Sequence, residues 1–398
     1  MSTALKEVFE RILASRIFKD REKLRPDYVP EELPHRESEI RKLAEILAPA
    51  IRGVRPSNIF IYGLPGTGKT AVTKYVLKGL LKMTAGGGSP QVVSCYINCK
   101  YDNTSYRVIA SMCEHLGIKV PFTGLSTPEL FRRFLKGLDS KPRLMIVVLD
   151  EIDGITGHGS DLLYRLTRVN SELKESRVSI IGITNDLKFT ESLDPRVKSA
   201  LGEEELVFTP YNSVELEDIL RQRAKLAFID GVLEDGVIPL CATLAAREHG
   251  DARRALDLLR VAGEVAEREG ARKVTENHVR RAQMELERDR VVEVLRSMPL
   301  HGRLTLLAIY LLEKRGVKEK TTGEIYNAYR ELCRRIRVDE LTQRRISDLI
   351  NELDVMGIVT ARVVSRGRRG LTKIVKLSIN EDALREGLKE DVRLASLI

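Results

Sequence analysis

The sequence predicts an α/β phosphate-loop domain, a parallel sheet with helices on both faces, followed by a helical lid and a winged helix-turn-helix domain. Three observations predict it. The apolar run Asn58 to Tyr62 leads into Gly63-Leu64-Pro65-Gly66-Thr67-Gly68-Lys69-Thr70, and a helical pattern follows from Ala71 to Met83. A second apolar run without alternation, Leu144 to Leu149, ends in Asp150-Glu151-Ile152-Asp153. From Ser213 onward strands give way to helical periodicity, and the chain closes on a hairpin pattern around Arg366-Gly367-Arg368-Arg369-Gly370.

At 398 residues and 43% hydrophobic content, the chain is long enough for two to four domains, each with its own core. No apolar run approaches the roughly 20 residues that span a bilayer, and the first 20 residues form a charged amphipathic pattern without a signal-peptide core, so a soluble, cytoplasmic protein without a membrane partner is expected. A net charge of +9 fits a polyanionic partner, and equally a heavily charged surface that serves solubility. Cys95 and Cys99 stand on one expected strand, four residues and roughly 13 Å apart, too far to chelate together or to bridge. The other three cysteines and the six histidines have no metal-ligand spacing, so structural roles in a reducing compartment are expected.

In chain order, residues 3 to 18 read as a helix, and Arg25 to Arg36 carries three prolines that forbid a regular one. That stiff segment, with Tyr28, Val29 and Pro30, either wraps a planar base or links the first helix to Glu37–Ala48. The phosphate loop then sits at a strand-to-helix turn. Its glycines, Gly63, Gly66 and Gly68, let the backbone wrap a polyphosphate with Pro65, Thr67 and Ala71 alongside, Lys69 reaches the β- and γ-phosphates, and Thr70 holds magnesium. A second strand is expected over Val92 to Cys99. Two helices, Tyr106 to His115 and Pro128 to Leu138, flank a turn containing Pro121-Phe122-Thr123-Gly124, whose aromatic is either a wedge for nucleic acid or a packing residue under the loop.

The run ending at Leu149 reads as a strand buried on both faces, with its carboxylates at the C-terminal end, where an open α/β sheet binds ligands. Asp150 is assigned to magnesium and Glu151 to the attacking water. A strand from Val178 to Thr184 delivers Asn185, also placed to position water, before Asp194-Pro195-Arg196 and a last strand, Glu205 to Phe208. Helices are then expected over 214–228, 237–248, 252–269 and 276–288, the third opened by Gly250-Asp251-Ala252-Arg253 with Asp251 as N-cap.

Past Pro299, helices over 304–312, 322–334 and 342–356 and two short strands describe a winged helix-turn-helix. In the third helix Ile346, Leu349, Ile350 and Leu353 mark the buried face, leaving Arg344, Ser347, Asp348 and Asn351 outward with groups able to read base edges. The hairpin has Arg362, Arg366, Arg368, Arg369, Lys373 and Lys376 with no acid between Ala361 and Lys376, a phosphate-binding finger or a solvated basic surface.

The phosphate loop, the Asp150-Glu151-Ile152-Asp153 box, Asn185, Asp194-Pro195-Arg196, Gly250-Asp251-Ala252-Arg253 and the C-terminal winged helix together resemble the archaeal replication initiators related to eukaryotic origin-recognition and cell-division-cycle proteins, which are AAA+ ATPases. The resemblance runs nearly end to end. It implies an AAA+ α/β domain over 1–210 with an initiator-specific insertion that touches DNA, a lid over 211–290 and a DNA-binding winged helix over 291–398. It also implies an adenine pocket at Tyr28, Val29 and Pro30, a first sensor at Asn185, a second at Arg253, and an arginine finger at Arg196 used in trans. ATP or ADP with Mg2+, slow hydrolysis as a switch, double-stranded origin DNA, further initiator protomers and the replicative helicase are the implied cofactors, activity and partners. Two other classes share parts of the pattern: a signalling ATPase whose winged helix binds protein, and a clamp-loader-like ATPase. A regulator that binds DNA without catalysis has no need of Asp150-Glu151.

Overall fold

The computed structural model describes residues 17–398 except 27, 87–89, 122–123, 156–158, 187, 192, 366–370, 396 and 398. The chain divides into two compact units, one ending at Val279 and one beginning at Arg280.

In the first unit five parallel strands, β1 (Ile59–Gly63), β2 (Gln91–Asn98), β3 (Arg143–Asp150), β4 (Arg177–Thr184) and β5 (Glu204–Phe208), lie in the order β2-β3-β4-β1-β5. Parallel neighbours need crossovers, and the helices that supply them cover both faces. Side chains alternate between two cores. Phe60, Ile97, Val147 and Ile180 pack against α3 (Ser105–His115), α4 (Thr127–Leu138) and α5 (Gly159–Arg168), while Ile61, Ile146, Val148 and Ile181 pack against α1 (Glu37–Leu47) and α2 (Lys69–Thr84). Full burial of each such aliphatic side chain contributes about 1.5–3 kcal/mol. Apolar runs without alternation in the sequence are therefore the trace of a sheet covered twice.

The expected helix over 3–18 lies almost wholly outside the described residues. Its last two positions depart from the expectation: Ile17 is buried, and Phe18 forms an isolated antiparallel bridge with Phe228, the two rings 4.8 Å apart. The tilted ring contact and the bond from the Lys19 amide to the Ala227 carbonyl hold this stretch extended, overriding its helical pattern. A 3-10 turn, Arg21–Leu24, precedes the proline-rich segment, which runs irregularly to α1.

Between β4 and β5 lies α6 (Pro195–Leu201), and after β5 come α7 (Ser213–Ala227), α8 (Val237–Arg247) and α9 (Ala252–Glu269). The next helix, α10 (Glu276–Ser297), continues beyond the expected end at residue 288, because no glycine or proline interrupts the chain between Gly270 and Pro299.

In the second unit α11 (Leu300–Lys314), α12 (Thr322–Ile336) and α13 (Gln343–Val355) surround a core that includes Leu307, Tyr329, Ile346 and Ile350. A three-stranded antiparallel sheet of β6 (Lys320–Thr321), β8 (Leu371–Leu377) and β7 (Val359–Ser365) completes it, followed by α14 (Glu381–Lys389) and α15 (Val392–Ala395), two helices outside the expected pattern.

Candidate functional site

The loop between β1 and α2 is shaped by groups that close off its glycines. Gly66 has φ 73°, and a Cβ there would run into the Asp251 carboxylate; at Gly68, φ 94°, a Cβ would lie 2.9 Å from the Tyr211 hydroxyl. Gly68 is also the N-cap of α2 and offers no side-chain acceptor, so the first-turn amides of that helix are left for an anion. The Lys69 ammonium, 5% exposed, donates to the carbonyls of Gly63 and Leu64, each at 2.7 Å. Burial, then the nearby Arg253 cation, lowers its pKa to about 8.

These groups open on a cavity of about 390 Å³ that Gly66, Gly68, Lys69, Thr70 and Ala71 line on one side. Asp150, Glu151 and Asn185 reach it from the ends of β3 and β4, Arg253 from α9, and Tyr28, Val29 and Pro30 from the proline-rich segment. Residues separated by more than 200 positions in sequence thus converge on one space. Thr70 Oγ1 donates to Asp150 Oδ2 at 2.7 Å, pairing two hard oxygen donors of the kind that Mg2+ takes. Asp251 caps α9 by accepting from the Arg253 amide at 2.7 Å, and the Ala252 amide donates to the Gly66 carbonyl at 3.2 Å, so the lid helix rests on the loop.

Three loop residues do not line the cavity, and two of them have other duties. Gly63, Pro65 and Thr67 are not among those facing the cavity; the Gly63 carbonyl accepts from Lys69, and the Thr67 hydroxyl donates to the Leu64 carbonyl at 2.9 Å, shaping the loop from within. Arg196 also stands apart from the cavity: it is exposed, pairs with Asp194 at 3.0 Å and lies 5.0 Å from the centre of the Tyr164 ring. The Arg196 hydrogen bond holds the Asp194 carboxyl below its usual range.

Sequence reasoning missed several residues here. Arg36, 3% exposed, donates to the carbonyls of Thr67 at 2.9 Å and Thr209 at 2.6 Å and stacks over Tyr211 at 3.8 Å, fastening the phosphate loop to the chain after β5. Tyr96, at the end of β2, donates its hydroxyl to Asp150 Oδ2 at 2.6 Å; burial foremost and that bond next raise its pKa. Arg223 of α7 donates to the Tyr28 carbonyl at 2.9 Å. For Tyr96 and Arg223 the signal was a polar group in an otherwise apolar strand or helix face; Arg36, the N-cap of α1 among charged residues, carried none.

In the second unit, Ile346, Leu349, Ile350 and Leu353 are buried as expected, while Arg344, Asp348 and Asn351 are exposed and Ser347 is half-buried. Lys373 of β8 reaches across to this face and donates to Ser347 Oγ at 2.9 Å. Arg366, Arg368 and Arg369 lie outside the described residues, as do Phe122 and Thr123. Gly124 is described, in the left-handed region at φ 96°, between α3 and α4, both of which pack on the sheet.

Three family models match the chain: an AAA ATPase domain over residues 32–181, a Cdc6 AAA+ ATPase-type lid domain over 217–284 and a CDC6 C-terminal winged helix domain over 293–387. The ORC1-type DNA replication protein 1 of Sulfurisphaera tokodaii is 58% identical across 100% of this chain and 99% of its own length, and the ORC1-type DNA replication protein of Pyrococcus abyssi is 52% identical across 99% and 95%. The Aeropyrum pernix ORC1 protein, solved in complex with DNA, superposes with a TM-score of 0.84 at 53% identity, over 96% of this chain and 100% of that one. The chain carries an AAA ATPase domain, a nucleotide-binding fold, and it belongs to the family of ORC1-type DNA replication proteins, which are replication initiators.

Proposed function

We propose that this chain is an ATP-regulated initiator that binds origin duplex DNA through its winged helix and the insertion around Gly124, hydrolyses ATP slowly as a switch, and helps to load the replicative helicase alongside further protomers. The observation that carries this reading is the convergence of Lys69, Thr70, Asp150, Glu151, Asn185 and Arg253 on one cavity, in a chain with a net charge of +9. Thr70 and Asp150 are the residues to hold Mg2+, which when bound supplies charge neutralisation to the phosphates. The chain's own groups do the rest. The free amides of α2 and the Lys69 ammonium bind the polyphosphate, Glu151 and Asn185 orient water, and Arg253 brings a cation from the lid to the same phosphates. Arg196, exposed and remote from its own cavity, is free in position to serve a neighbouring protomer's.

Arg344, Ser347 and Asn351 are assigned to base edges and the wing, with Arg366, Arg368 and Arg369, to phosphates. The test is footprinting of the full chain on genomic and random duplexes, with ATP and ADP in parallel and Lys69→Ala as control. Protection confined to particular sequences, altered in extent by the nucleotide in the native chain alone, is expected. Absence of salt-sensitive duplex binding would favour a signalling ATPase.

A further inference from the structure

We propose that Arg223 reads the base of the bound nucleotide, the guanidinium turning so that its terminal nitrogen without a hydrogen-bond partner donates to a ring-nitrogen acceptor of the adenine. This deepens the nucleotide reading of the cavity and rests on it.

Arg223 projects from α7 and is 4% exposed. One terminal nitrogen, NH2, donates to the Tyr28 carbonyl at 2.9 Å, and the guanidinium lies 4.7 Å from the centre of the Tyr28 ring. The other, NH1, is buried with no hydrogen-bond partner. No ion pair with a carboxylate is described for this side chain, and desolvation lowers its pKa to about 10, which leaves it a cation at neutral pH. A buried cation with an unfilled donor is strongly unfavourable in a finished core.

Arg223 lines the nucleotide cavity beside Tyr28, Val29, Pro30 and Ile219, an apolar stretch suited to a planar ring. A purely structural role, fastening Tyr28, accounts for NH2 and for the ring contact but gives NH1 no hydrogen-bond partner. Guanidinium has donors and no acceptor, so it cannot pair with the adenine amino group. What it can pair with is an unprotonated ring nitrogen: N1, N3 or N7. Because the same side chain holds the Tyr28 carbonyl, the base is tied at one point to the lid helix α7 and to the proline-rich segment.

The experiment is calorimetric titration of the full chain with ATP, with 1-deaza-, 3-deaza- and 7-deaza-ATP, and with inorganic tripolyphosphate, repeated on Arg223→Met and Arg223→Lys. One deaza analogue is expected to bind the native protein about ten- to a hundredfold more weakly than ATP, the range of a charge-assisted hydrogen bond. Arg223→Met should bring ATP down to that level, make ATP and the analogue equal, and leave tripolyphosphate unchanged. Equal binding of ATP and all three analogues by the native protein overturns the proposal, whether or not the variants fold. If ATP itself fails to bind, the reading of the cavity falls first; tight ATP binding with indifference to every ring nitrogen removes Arg223 alone.

Discussion

Lys373 Nζ donates to Asn351 Oδ1 at 2.6 Å, so the wing lysine occupies a side chain that α13 was expected to offer to DNA. Together with its bond to Ser347, this leaves Arg344 as the exposed one of the three assigned base-reading residues without such an engagement. We predict that Lys373 moves to a phosphate when duplex binds. Lys373→Met should then reduce the slope of log affinity against log salt by about 0.9, and Arg344→Ala should cost about 1–3 kcal/mol on an origin duplex while relaxing sequence choice. Salt titrations on origin and scrambled duplexes measure both, and an unchanged slope for Lys373→Met would rule out the phosphate contact.

Nucleotide affinity should depend on pH through Lys69. Its free-state pKa of about 8 lies below the ordinary lysine value, and an adjacent polyphosphate raises it. Binding therefore takes up a proton between the free and bound values. Affinity is at its full value below pH 8 and falls by up to tenfold per unit above it, until the bound-state pKa is passed. Calorimetry near pH 9 in buffers of different ionisation enthalpy reads the uptake; an observed heat independent of buffer contradicts it.

Glu151→Gln should separate binding from turnover. The amide keeps the shape of the side chain and cannot act as a base, so ATP affinity should hold while hydrolysis falls by about 10²–10⁴. Arg196→Ala should remove just the part of turnover that rises with protein concentration. Turnover measured across a dilution series distinguishes the two, and a concentration-dependent rate that survives Arg196→Ala refutes the role in trans.

Tyr96 should act by positioning Asp150. Tyr96→Phe removes the hydroxyl that donates to Asp150 Oδ2 without changing the ring. The Mg2+ concentration for half-maximal hydrolysis should rise by about tenfold or more, as for other supports of a metal ligand, while affinity for nucleotide in EDTA stays the same. An equal loss in both assays would mark Tyr96 as merely structural.

The phosphate loop was legible because its residues are contiguous and their spacing is itself the mechanism. The buried strands were legible because a sheet covered twice leaves unbroken apolar runs such as Leu144 to Leu149. Arg36, Tyr96 and Arg223 were not. Each is a single side chain on an ordinary element, and its duty is set by partners far away in sequence, as in Arg36 to Thr209. The Lys373 contact was hidden for a related reason: it depends on the register that sets Lys373 opposite Val363 in the hairpin, and alternation alone does not determine which wing residue reaches the helix.

Glu151 sits in the left-handed backbone region at φ 52°. For a residue with a Cβ that conformation costs about 1–2 kcal/mol; glycine adopts it freely. Heat resistance and working chemistry therefore pull this position in opposite directions. A laboratory lineage selected for survival at high temperature, with no demand for activity, would drift toward Glu151→Gly and emerge sturdier and silent. A carboxylate that orients water, the role proposed for Glu151, is a gain that offsets such strain.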